Sequence, residues 1–188
     1  MNYFIHPNAL VETEAIGAGT RIWAFVHILD KTRIGKNCNI CDHCFIESNV
    51  VIGDNVTIKS GIYIWDGVFI EDDVFLGPNV VFTNDIRPRS QHYKTPVQTF
   101  IKKGASIGAN TTMLAGLTVG EYAMTGIGSV VTKSIPAHAL VYGNPARQHG
   151  WVDKDGNKLT ALKNNFWKSL SGALFIEQDG IITPTLYP

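Results

Sequence analysis

The first half of this 188-residue chain carries an apolar residue at every sixth position. The thirteen positions are Leu10, Ile16, Ile22, Ile28, Ile34, Ile40, Ile46, Ile52, Ile58, Ile64, Ile70, Leu76 and Phe82. This spacing fits neither the 3.6-residue period of a helix nor the alternation of a single strand. It does fit a short strand followed by a tight turn. The pattern therefore predicts an all-β fold built from hexapeptide repeats, a parallel β-helix.

A second set of small or β-branched residues lies four positions after members of the first set. Its members are Thr20, Val26, Thr32, Cys38, Cys44, Val50, Val56, Ile62, Val68, Val74 and Val80. We expect this second set to point inward together with the first, so that each short strand and the turn after it contribute to one core.

The pattern breaks after Phe82, because Pro88 and Lys94 occupy the next two positions in phase. Residues 83–100 contain two prolines and four basic residues, counting His92, and we expect them to form a loop. A loop of this length inside a compact repeat is usually functional. The period resumes one residue out of phase, which we interpret as one extruded coil plus one residue. The resumed positions are Ile101, Ile107, Met113, Val119, Thr125 and Val131, and Pro136 with Ala137 ends the repeat.

The chain is predicted to divide into a β-helix domain of residues 1–150 and a C-terminal extension of residues 151–188. Within the extension, residues 153–157 read as a hairpin turn. Residues 161–170 have apolar side chains four apart and predict a short amphipathic helix. Residues 174–188 predict a strand pair around Asp179 and Gly180. We expect the extension to cap the last coil.

Charge and hydropathy exclude several classes of protein. The 16 basic and 16 acidic residues balance, which argues against a nucleic-acid binder by bulk charge. No apolar stretch approaches the roughly 20 residues of a transmembrane helix, and the N-terminus does not read as a signal peptide. The expected location is the cytoplasm.

The three cysteines raise the question of a metal site. Cys38, Cys41 and Cys44 with His43 form a C-x-x-C-x-x-C-H pattern. However, Cys38 and Cys44 occupy second-set positions one hexad apart, and a structural zinc normally needs four ligands. The sequence therefore predicts core cysteines and no metal. The odd number of cysteines also fits a reducing compartment.

The repeats, followed by residues 130–136 and by the Tyr-Gly-Asn-Pro-Ala-Arg segment 142–147, resemble the hexapeptide acyltransferases. That family folds as a left-handed β-helix in which three hexads make one triangular coil. The resemblance implies acetyl-CoA as cosubstrate. In this interpretation a basic pair meets the phosphates as charge-assisted donors, the Gly-Asn-Pro turn lies against the adenine, and two glycines leave backbone amides open for the pantetheine. The implied residues are Lys133, Arg147, Gly143, Asn144, Pro145, Gly108 and Gly126.

Two further segments resemble a narrower group within the family, the N-acetyltransferases of nucleotide-linked 3-amino sugars. They are the Trp-Asp-Gly to Gly-Pro-Asn coil of residues 65–79 and the Phe-Thr-Asn-Asp loop start with its Pro-Arg-Ser continuation, residues 82–90. In that group the Asn of the loop start lies next to the acceptor amine, a role that carries over to Asn84. We expect Asn84 and Asp85 to be catalytic. The expected substrate-binding residues are Trp65, Asp66, Glu71, Arg87, Pro88, Arg89 and His92, with Lys94, Lys102 and Lys103 as further cations for a diphosphate.

The predicted reaction is direct attack of a sugar 3-amine on acetyl-CoA, with His92 as a weaker candidate for a base. The favoured acceptor is a dTDP-3-amino-3,6-dideoxyhexose, and UDP-2-acetamido-3-amino-2,3-dideoxyglucuronate is the alternative. The resemblance also implies a homotrimer with active sites between subunits and a role in O-antigen lipopolysaccharide or S-layer glycan assembly. A different class of answer is a β-helix without acetyltransferase activity, either carbonic anhydrase-like or structural.

Overall fold

The computed structural model describes residues 2–185. Met1 and residues 186–188, the end of the predicted extension, lie outside the described residues. The described chain contains 25 β-strands and no helix. In chain order the strands of the repeats are β1 (Phe4–Ile5), β2 (Leu10–Val11), β3 (Arg21–Ile22), β4 (His27–Ile28), β5 (Arg33–Ile34), β6 (Asn39–Ile40), β7 (Phe45–Ile46), β8 (Val51–Ile52), β9 (Thr57–Ile58), β10 (Tyr63–Ile64), β11 (Val68–Ile70), β12 (Phe75–Leu76), β13 (Val81–Phe82), β14 (Thr99–Ile101), β15 (Ser106–Ile107), β16 (Thr112–Met113), β17 (Thr118–Val119), β18 (Met124–Thr125) and β19 (Val130–Val131). The later strands are β20 (Ala139–Gly143), β21 (Ala146–Trp151), β22 (Thr160–Ala161), β23 (Phe166–Lys168), β24 (Leu174–Gln178) and β25 (Ile181–Pro184).

The repeats stack into three parallel sheets that form the faces of a triangular prism. Face 1 runs β1-β3-β6-β9-β12-β15-β18-β20, face 2 runs β2-β4-β7-β10-β13-β16-β19, and face 3 runs β5-β8-β11-β14-β17. Through the regular coils a strand pairs with the strand 18 residues later, as Ile22 with Ile40 and Ile40 with Ile58. The predicted parallel β-helix is therefore confirmed, with three hexads per coil.

Both inward sets are buried except for Leu10 and the partly buried Ile16, and their apolar members belong to one continuous hydrophobic core. One member was assigned wrongly. Leu10 is 57% exposed, and its neighbour Val11 pairs with Ile28 in the inward position. The first coil is one residue shorter than the later ones, since Ile5 and Ile22 are 17 positions apart. The six-residue count from Leu10 therefore missed the true start of the repeat, which is β1.

Each corner of the prism is turned by a residue with left-handed backbone geometry. These residues recur at every sixth position from 19 to 79 and again from 104 to 128. The non-glycine members have φ between 55° and 64°, and they are Phe25, Lys31, Asn37, His43, Asn49, Asn55, Asp73, Asn79, Asn110 and Tyr122. Asn, Asp and Gly tolerate this conformation best, which explains why they dominate the corners. The corners alone set the period of six.

The polar members of the second set each donate a hydrogen bond to a carbonyl of the equivalent corner in the next coil. Thr20 Oγ1 bonds to Gly35 O at 2.8 Å, and Thr32 Oγ1 bonds to Glu47 O at 3.0 Å. The thiols behave in the same way, because Cys38 Sγ lies 3.1 Å from Gly53 O and Cys44 Sγ lies 3.2 Å from Lys59 O. Where the other members of the second set are Val or Ile, these four positions carry a small hydroxyl or thiol donor.

Burial raises the pKa of the Cys38 thiol and raises that of Cys44 to about 11. Both thiols therefore stay protonated at neutral pH, whereas zinc binds the thiolate. Among the described residues, no group of three or more His, Cys, Asp or Glu side chains is arranged to hold a metal ion.

The prism continues beyond the predicted end at Pro136 and Ala137. Ile135 bridges to Val119 on face 3, and Val141 in β20 pairs with Thr125 on face 1. The chain then reverses in the β20–β21 hairpin, which closes the end of face 1 with an antiparallel strand. The end was misplaced because the corner between Val131 on face 2 and Ile135 on face 3 is two residues short of the hexad.

The C-terminal extension is a four-stranded antiparallel sheet, β22-β23-β24-β25. The helix predicted over residues 161–170 is wrong, because Leu162 and Leu170 are exposed and the segment forms β22, β23 and a turn. The turn predicted over residues 153–157 and the strand pair at Asp179 and Gly180 are confirmed. Whether the chain is best divided at residue 150 stays a prediction.

A shared carboxylate fastens this sheet to the prism. Glu177 Oε2 accepts hydrogen bonds from Trp151 Nε1 at 3.0 Å and from Trp167 Nε1 at 2.9 Å. Trp151 is fully buried, and Phe175 and Ile182 join the core of the prism. The extension therefore covers the last coil, as expected. No helix in the described part of the chain is long and apolar enough to cross a membrane.

The corner rule predicts the effect of an exposed substitution. Lys31 holds φ of 59°, whereas the next corner along the chain and the equivalent corner of the next coil use Asn37 and Asn49. Lys31→Asn should raise the free energy of unfolding by about 0.5–1 kcal/mol, because the left-handed backbone conformation costs less energy for Asn than for Lys. Urea denaturation checks this. The matched variant Lys36→Asn, which is one position before a corner residue, should give no gain, and an equal gain there would contradict the rule.

Candidate active site

The long loop is an expanded corner of a single coil, and no whole coil is extruded. Phe82 lies on face 2 and Ile101 lies on the next face, paired with Ile70. Consecutive faces are normally six residues apart, and here they are 19 apart, so the corner carries 13 extra residues. The interpretation as one coil plus one residue was therefore wrong. It counted the same residues but placed Ile101 on the wrong face.

Side chains of the neighbouring coils hold the base of the loop. Trp65 Nε1 donates to Phe82 O at 2.7 Å. Thr83 Oγ1 donates to Met113 O at 3.2 Å and accepts from the Ala115 amide at 2.9 Å. Gly67 turns the corner below with φ of +85°, where a Cβ would lie 3.2 Å from Val97 O. The two ends of the loop are therefore fixed to the prism.

The corners between face 2 and face 3 form one edge of the prism, which we call the loop edge. The 18-residue coil aligns equivalent corner residues in a column along it. One such column contains Asp30, Ser48, Asp66, Asn84, Ala115 and Lys133. Coils stack about 4.8 Å apart, so Asp66 lies one step below Asn84 and Lys133 lies two steps above it.

A cavity of about 440 Å³ lies where the loop folds over the lower part of this edge. Its lining is Leu29, Glu47, Ser48, Asp66, Asn84, Asp85, Pro88, Arg89, His92, Tyr93, Lys94 and Pro96. The structure thus brings together six of the nine residues predicted to be catalytic or substrate-binding. We call this space the lower cavity.

A second space of about 290 Å³ lies on the other side of the same loop. It is lined by Asn84, Asp85, Ile86, Arg87, Lys94, Thr95 and Val97. Ile86 and Val97 approach Gly116, one coil above the loop base, so we call this space the upper cavity. Asn84, Asp85 and Lys94 line both cavities and therefore lie at their junction.

Some polar side chains at the junction already have hydrogen-bond partners within the protein, and others do not. Asp85 Oδ1 accepts from the Arg87 amide at 2.7 Å and lies 3.8 Å from Lys94 Nζ. Lys94 Nζ also donates to Arg87 O at 2.8 Å. Within the described chain the side chain of Asn84 has no hydrogen-bond partner, and the residue is exposed. The Asn84 amide is therefore free to bind a ligand.

Glu47 and Ser48 belong to the lower cavity but were not identified from the sequence. Glu47 Oε2 accepts from the Asp66 amide at 2.8 Å, and Asn49 Nδ2 donates to Asp66 Oδ2 at 3.2 Å. The signal that would have found them is the 18-residue coil, because Ser48 precedes Asp66 by 18 positions.

Trp65 and Glu71 are the two predicted substrate residues that do not line the lower cavity or the upper one. Trp65 is half-buried among Phe45 and Tyr63 and holds the loop base. Glu71 lies on a different edge, where Lys102 Nζ approaches its carboxylate to 2.7 Å. That hydrogen bond lowers the pKa of Glu71 below its ordinary value.

The same edge binds the two lysines that were expected to serve a diphosphate. Lys102 pairs with Glu71, and Lys103 Nζ lies 3.6 Å from Asp73. Both lysines therefore form ion pairs with carboxylates of a neighbouring corner, away from the loop. Arg87, Arg89 and Lys94 are the cations that line the two cavities.

A third space of about 240 Å³ lies at the top of the loop edge, between the last corner and the β20–β21 hairpin. Its lining includes Lys133 and Arg147, the two residues predicted to bind the phosphates of coenzyme A. The hairpin tip carries Gly143 and Asn144, with a cis peptide bond before Pro145. This terminal cavity and the loop cavities share one edge.

The predicted open amides of Gly108 and Gly126 are wrong. The Gly108 amide donates to Thr125 Oγ1 at 2.9 Å, and the Gly126 amide donates to Val141 O at 2.8 Å. A Cβ on Gly126 would lie 2.7 Å from the Cβ of Tyr142. These glycines allow close stacking of the coils.

Among the histidines, His92 alone lines the loop cavities of the described chain. His27 Nε2 lies 3.0 Å from Glu12 Oε1. The rings of His43, His138 and His149 stack on Phe25, Tyr122 and Tyr142. The stacked rings are structural parts of the prism surface.

The chain is similar to known proteins in sequence. A family profile for bacterial transferase hexapeptide repeats (six repeats) matches residues 15–48. The chain is similar to dTDP-3-amino-3,6-dideoxy-alpha-D-galactopyranose 3-N-acetyltransferase of Aneurinibacillus thermoaerophilus, with 65% identity over 162 residues. The alignment covers 86% of this chain and 84% of that relative.

Solved structures with the same architecture include a galactoside acetyltransferase in complex with coenzyme A. It matches with a TM-score of 0.51 and 27% identity over 62% of each chain. The polySia-specific acetyltransferase NeuO matches with a TM-score of 0.58 over 87% of this chain and 84% of its own, at 18% identity. The second likeness concerns the fold alone.

Trp65→Phe tests how the loop is held. The ring contacts with Phe45 and Tyr63 remain, but the hydrogen bond to Phe82 O is lost, worth about 1 kcal/mol. Local opening of the loop should increase, so trypsin should cut after Arg89 and Lys94 roughly five-fold faster. Tyr63→Phe is the matched control and should leave the cleavage rate unchanged. Equal rates in both variants would show that the bond does not hold the loop.

Proposed function

The chain belongs to the hexapeptide-repeat acyltransferases, among the nucleotide-linked 3-amino-sugar N-acetyltransferases, and we propose from this that its loop edge is the active site. It transfers the acetyl group of acetyl-CoA to the 3-amino group of a dTDP-3-amino-3,6-dideoxyhexose. We propose the α-D-galacto configuration for the sugar, following the name of the 65% identical relative.

The observation that carries this proposal is the column along the loop edge. Asn84 lies at the junction of the loop cavities, and Lys133 lies two coils above it, at about 10 Å along the edge. An acetyl donor held at the terminal cavity can therefore extend its pantetheine arm down the edge to the acceptor. Donor and acceptor then meet at Asn84.

At the donor end, Lys133 and Arg147 are proposed to bind the phosphates of coenzyme A. Both line the terminal cavity, and phosphate oxygens form short, charge-assisted hydrogen bonds with such groups. Gly143, Asn144 and Pro145 at the hairpin tip are proposed to pack against the adenine. Gly108 and Gly126 contribute by keeping the coils beneath the hairpin closely stacked.

At the acceptor end, the lower cavity offers positive charge, hydrogen-bond acceptors and apolar surface, which a dTDP sugar needs. Arg89 supplies positive charge for the diphosphate, and Glu47 and Asp66 supply acceptors for sugar hydroxyls. Leu29, Pro88 and Pro96 supply apolar surface for a methyl group at C6. Arg89 and Lys94 could equally pair with the carboxylate of the alternative acceptor, UDP-2-acetamido-3-amino-2,3-dideoxyglucuronate, so the preference for a dTDP sugar rests on the name of the 65% identical relative.

The chemistry requires an uncharged amine. Its lone pair attacks the thioester carbonyl, the C–N bond forms and the C–S bond breaks. The proton that leaves the nitrogen ends on the departing thiolate, which gives free coenzyme A and the acetamido sugar. The carbonyl oxygen of Asn84 can accept an N–H of the amine and aim its lone pair at the thioester, which is catalysis by orientation. Asp85 lies beside it and fixes Lys94.

Assembly, location and pathway follow from the family resemblance. We propose a homotrimer, in which the exposed aromatic side chains of Trp23, Phe25 and Tyr63 gain partners. The cytoplasm and a pathway to O-antigen or S-layer glycan stay predictions.

A thiol-release assay with acetyl-CoA tests the function. The acceptors are dTDP-3-amino-3,6-dideoxygalactose, its gluco epimer and UDP-2-acetamido-3-amino-2,3-dideoxyglucuronate. We expect turnover of the galacto sugar above the other two. Asn84→Ala should lower kcat/KM roughly 100-fold because the amine is no longer oriented. The control Asn8→Ala, at an exposed turn, should be unaffected. Turnover of the UDP sugar alone would contradict the assignment.

A further inference from the structure

Lys94 occupies a position that the reaction as described leaves unexplained. Its ammonium donates to Arg87 O at 2.8 Å and lies 3.8 Å from Asp85 Oδ1. Both contacts are within the loop, so the cation is held in place before any ligand binds. It lines the lower and the upper cavity together with Asn84. A sugar amine at Asn84 therefore faces this cation whichever cavity holds the rest of the sugar.

The charges around this junction come from the loop and from two corners of the prism. The loop contributes Asp85, Arg87 and Arg89, and it also carries the titratable side chains of His92 and Tyr93. The corners contribute the carboxylates of Glu47 and Asp66. Glu47 accepts the Asp66 amide, and Asp66 accepts from Asn49, whereas Asp85 is the carboxylate paired with a lysine.

Without Lys94, the carboxylates would favour the wrong form of the substrate. A carboxylate next to an amine stabilises the ammonium ion and raises the pKa of the amine. An ammonium ion has no lone pair and cannot attack a thioester. A fixed cation has the opposite effect, because a like charge disfavours protonation, and it also neutralises the carboxylate of Asp85.

We propose that Lys94 keeps the bound sugar amine unprotonated and thereby sets the lower pH limit of acetyl transfer. The inference rests on the proposed function and assigns a role to one further residue of the same site. Lys94 acts on the protonation of the substrate and takes no part in bond making. With the amine already unprotonated, the reaction needs no dedicated general base, and His92 in the same cavity is not required to act as one.

The test is the pH dependence of kcat at saturating acetyl-CoA and dTDP-3-amino-3,6-dideoxygalactose, from pH 6 to pH 10. The kcat profile reports groups in the bound complex, whereas kcat/KM reports the free reactants. The Lys94→Gln variant keeps a donor for Arg87 O but removes the charge. Its acid limb in kcat should move up by roughly 0.5–1 pH unit. The kcat of this variant at pH 6.5 should be about three- to ten-fold below that of the wild type, and the two should match near pH 10. The acid limb of its kcat/KM profile should not move.

Two variants complete the experiment. Lys94→Arg retains the charge and should keep the wild-type kcat profile. Lys168→Gln removes the charge of an exposed side chain at the end of strand β23 in the extension and should also keep the wild-type profile. A Lys94→Gln profile that coincides with the wild type, or one lowered equally at every pH, would overturn the proposal. The second result would mean that Lys94 only supports the loop. Absence of turnover by the wild-type enzyme would instead overturn the proposed function.

Discussion

The architecture depends on one backbone constraint: every sixth residue must turn a corner in left-handed geometry. Eleven such corners follow one another from residue 19 to residue 79. Because each corner uses the same number of residues, coils of equal length stack in register. Backbone amides along a face then donate hydrogen bonds to carbonyls of the next coil. Small hydroxyl and thiol donors at the second inward position then satisfy the corner carbonyls, as Thr32 and Cys38 do. The result is a rigid edge on which side chains 18 residues apart lie in a column.

The proposed active site lies where that edge is interrupted once. Thirteen extra residues at a single corner make a loop that is fixed at both ends, by Trp65 at one side and by the close approach of Gly67 to Val97 at the other. The loop adds cations to a column that already carries Asp66 below and Lys133 above. A regular scaffold thus supplies the spacing between donor and acceptor, and an irregular segment supplies the acceptor chemistry.

Much of this was predictable from the sequence, for a physical reason. Burial forces apolar residues at fixed spacing, so Ile22 to Phe82 identified the fold. The loop and terminal motifs selected residues that the structure places around cavities on one edge, among them Asn84 and Lys133. The errors have local causes. Leu10 took the place of Val11 because the first coil is one residue short, and the apolar spacing of residues 161–170 suggested a helix whose apolar side is in fact exposed. Glu71 was assigned to the site by its motif, although its partner Lys102 lies on a different edge. Composition alone does not reveal which edge a corner residue faces.

The central claim is that donor and acceptor meet on the loop edge. A crystal structure with coenzyme A and dTDP-3-amino-3,6-dideoxygalactose bound together tests it most directly. The account predicts coenzyme A phosphates at Lys133 and Arg147, with its sulfur and the sugar amine both within hydrogen-bonding distance of the Asn84 side chain. Coenzyme A bound along the edge that carries Glu71 and Lys102, or a sugar amine remote from Asn84, would contradict it.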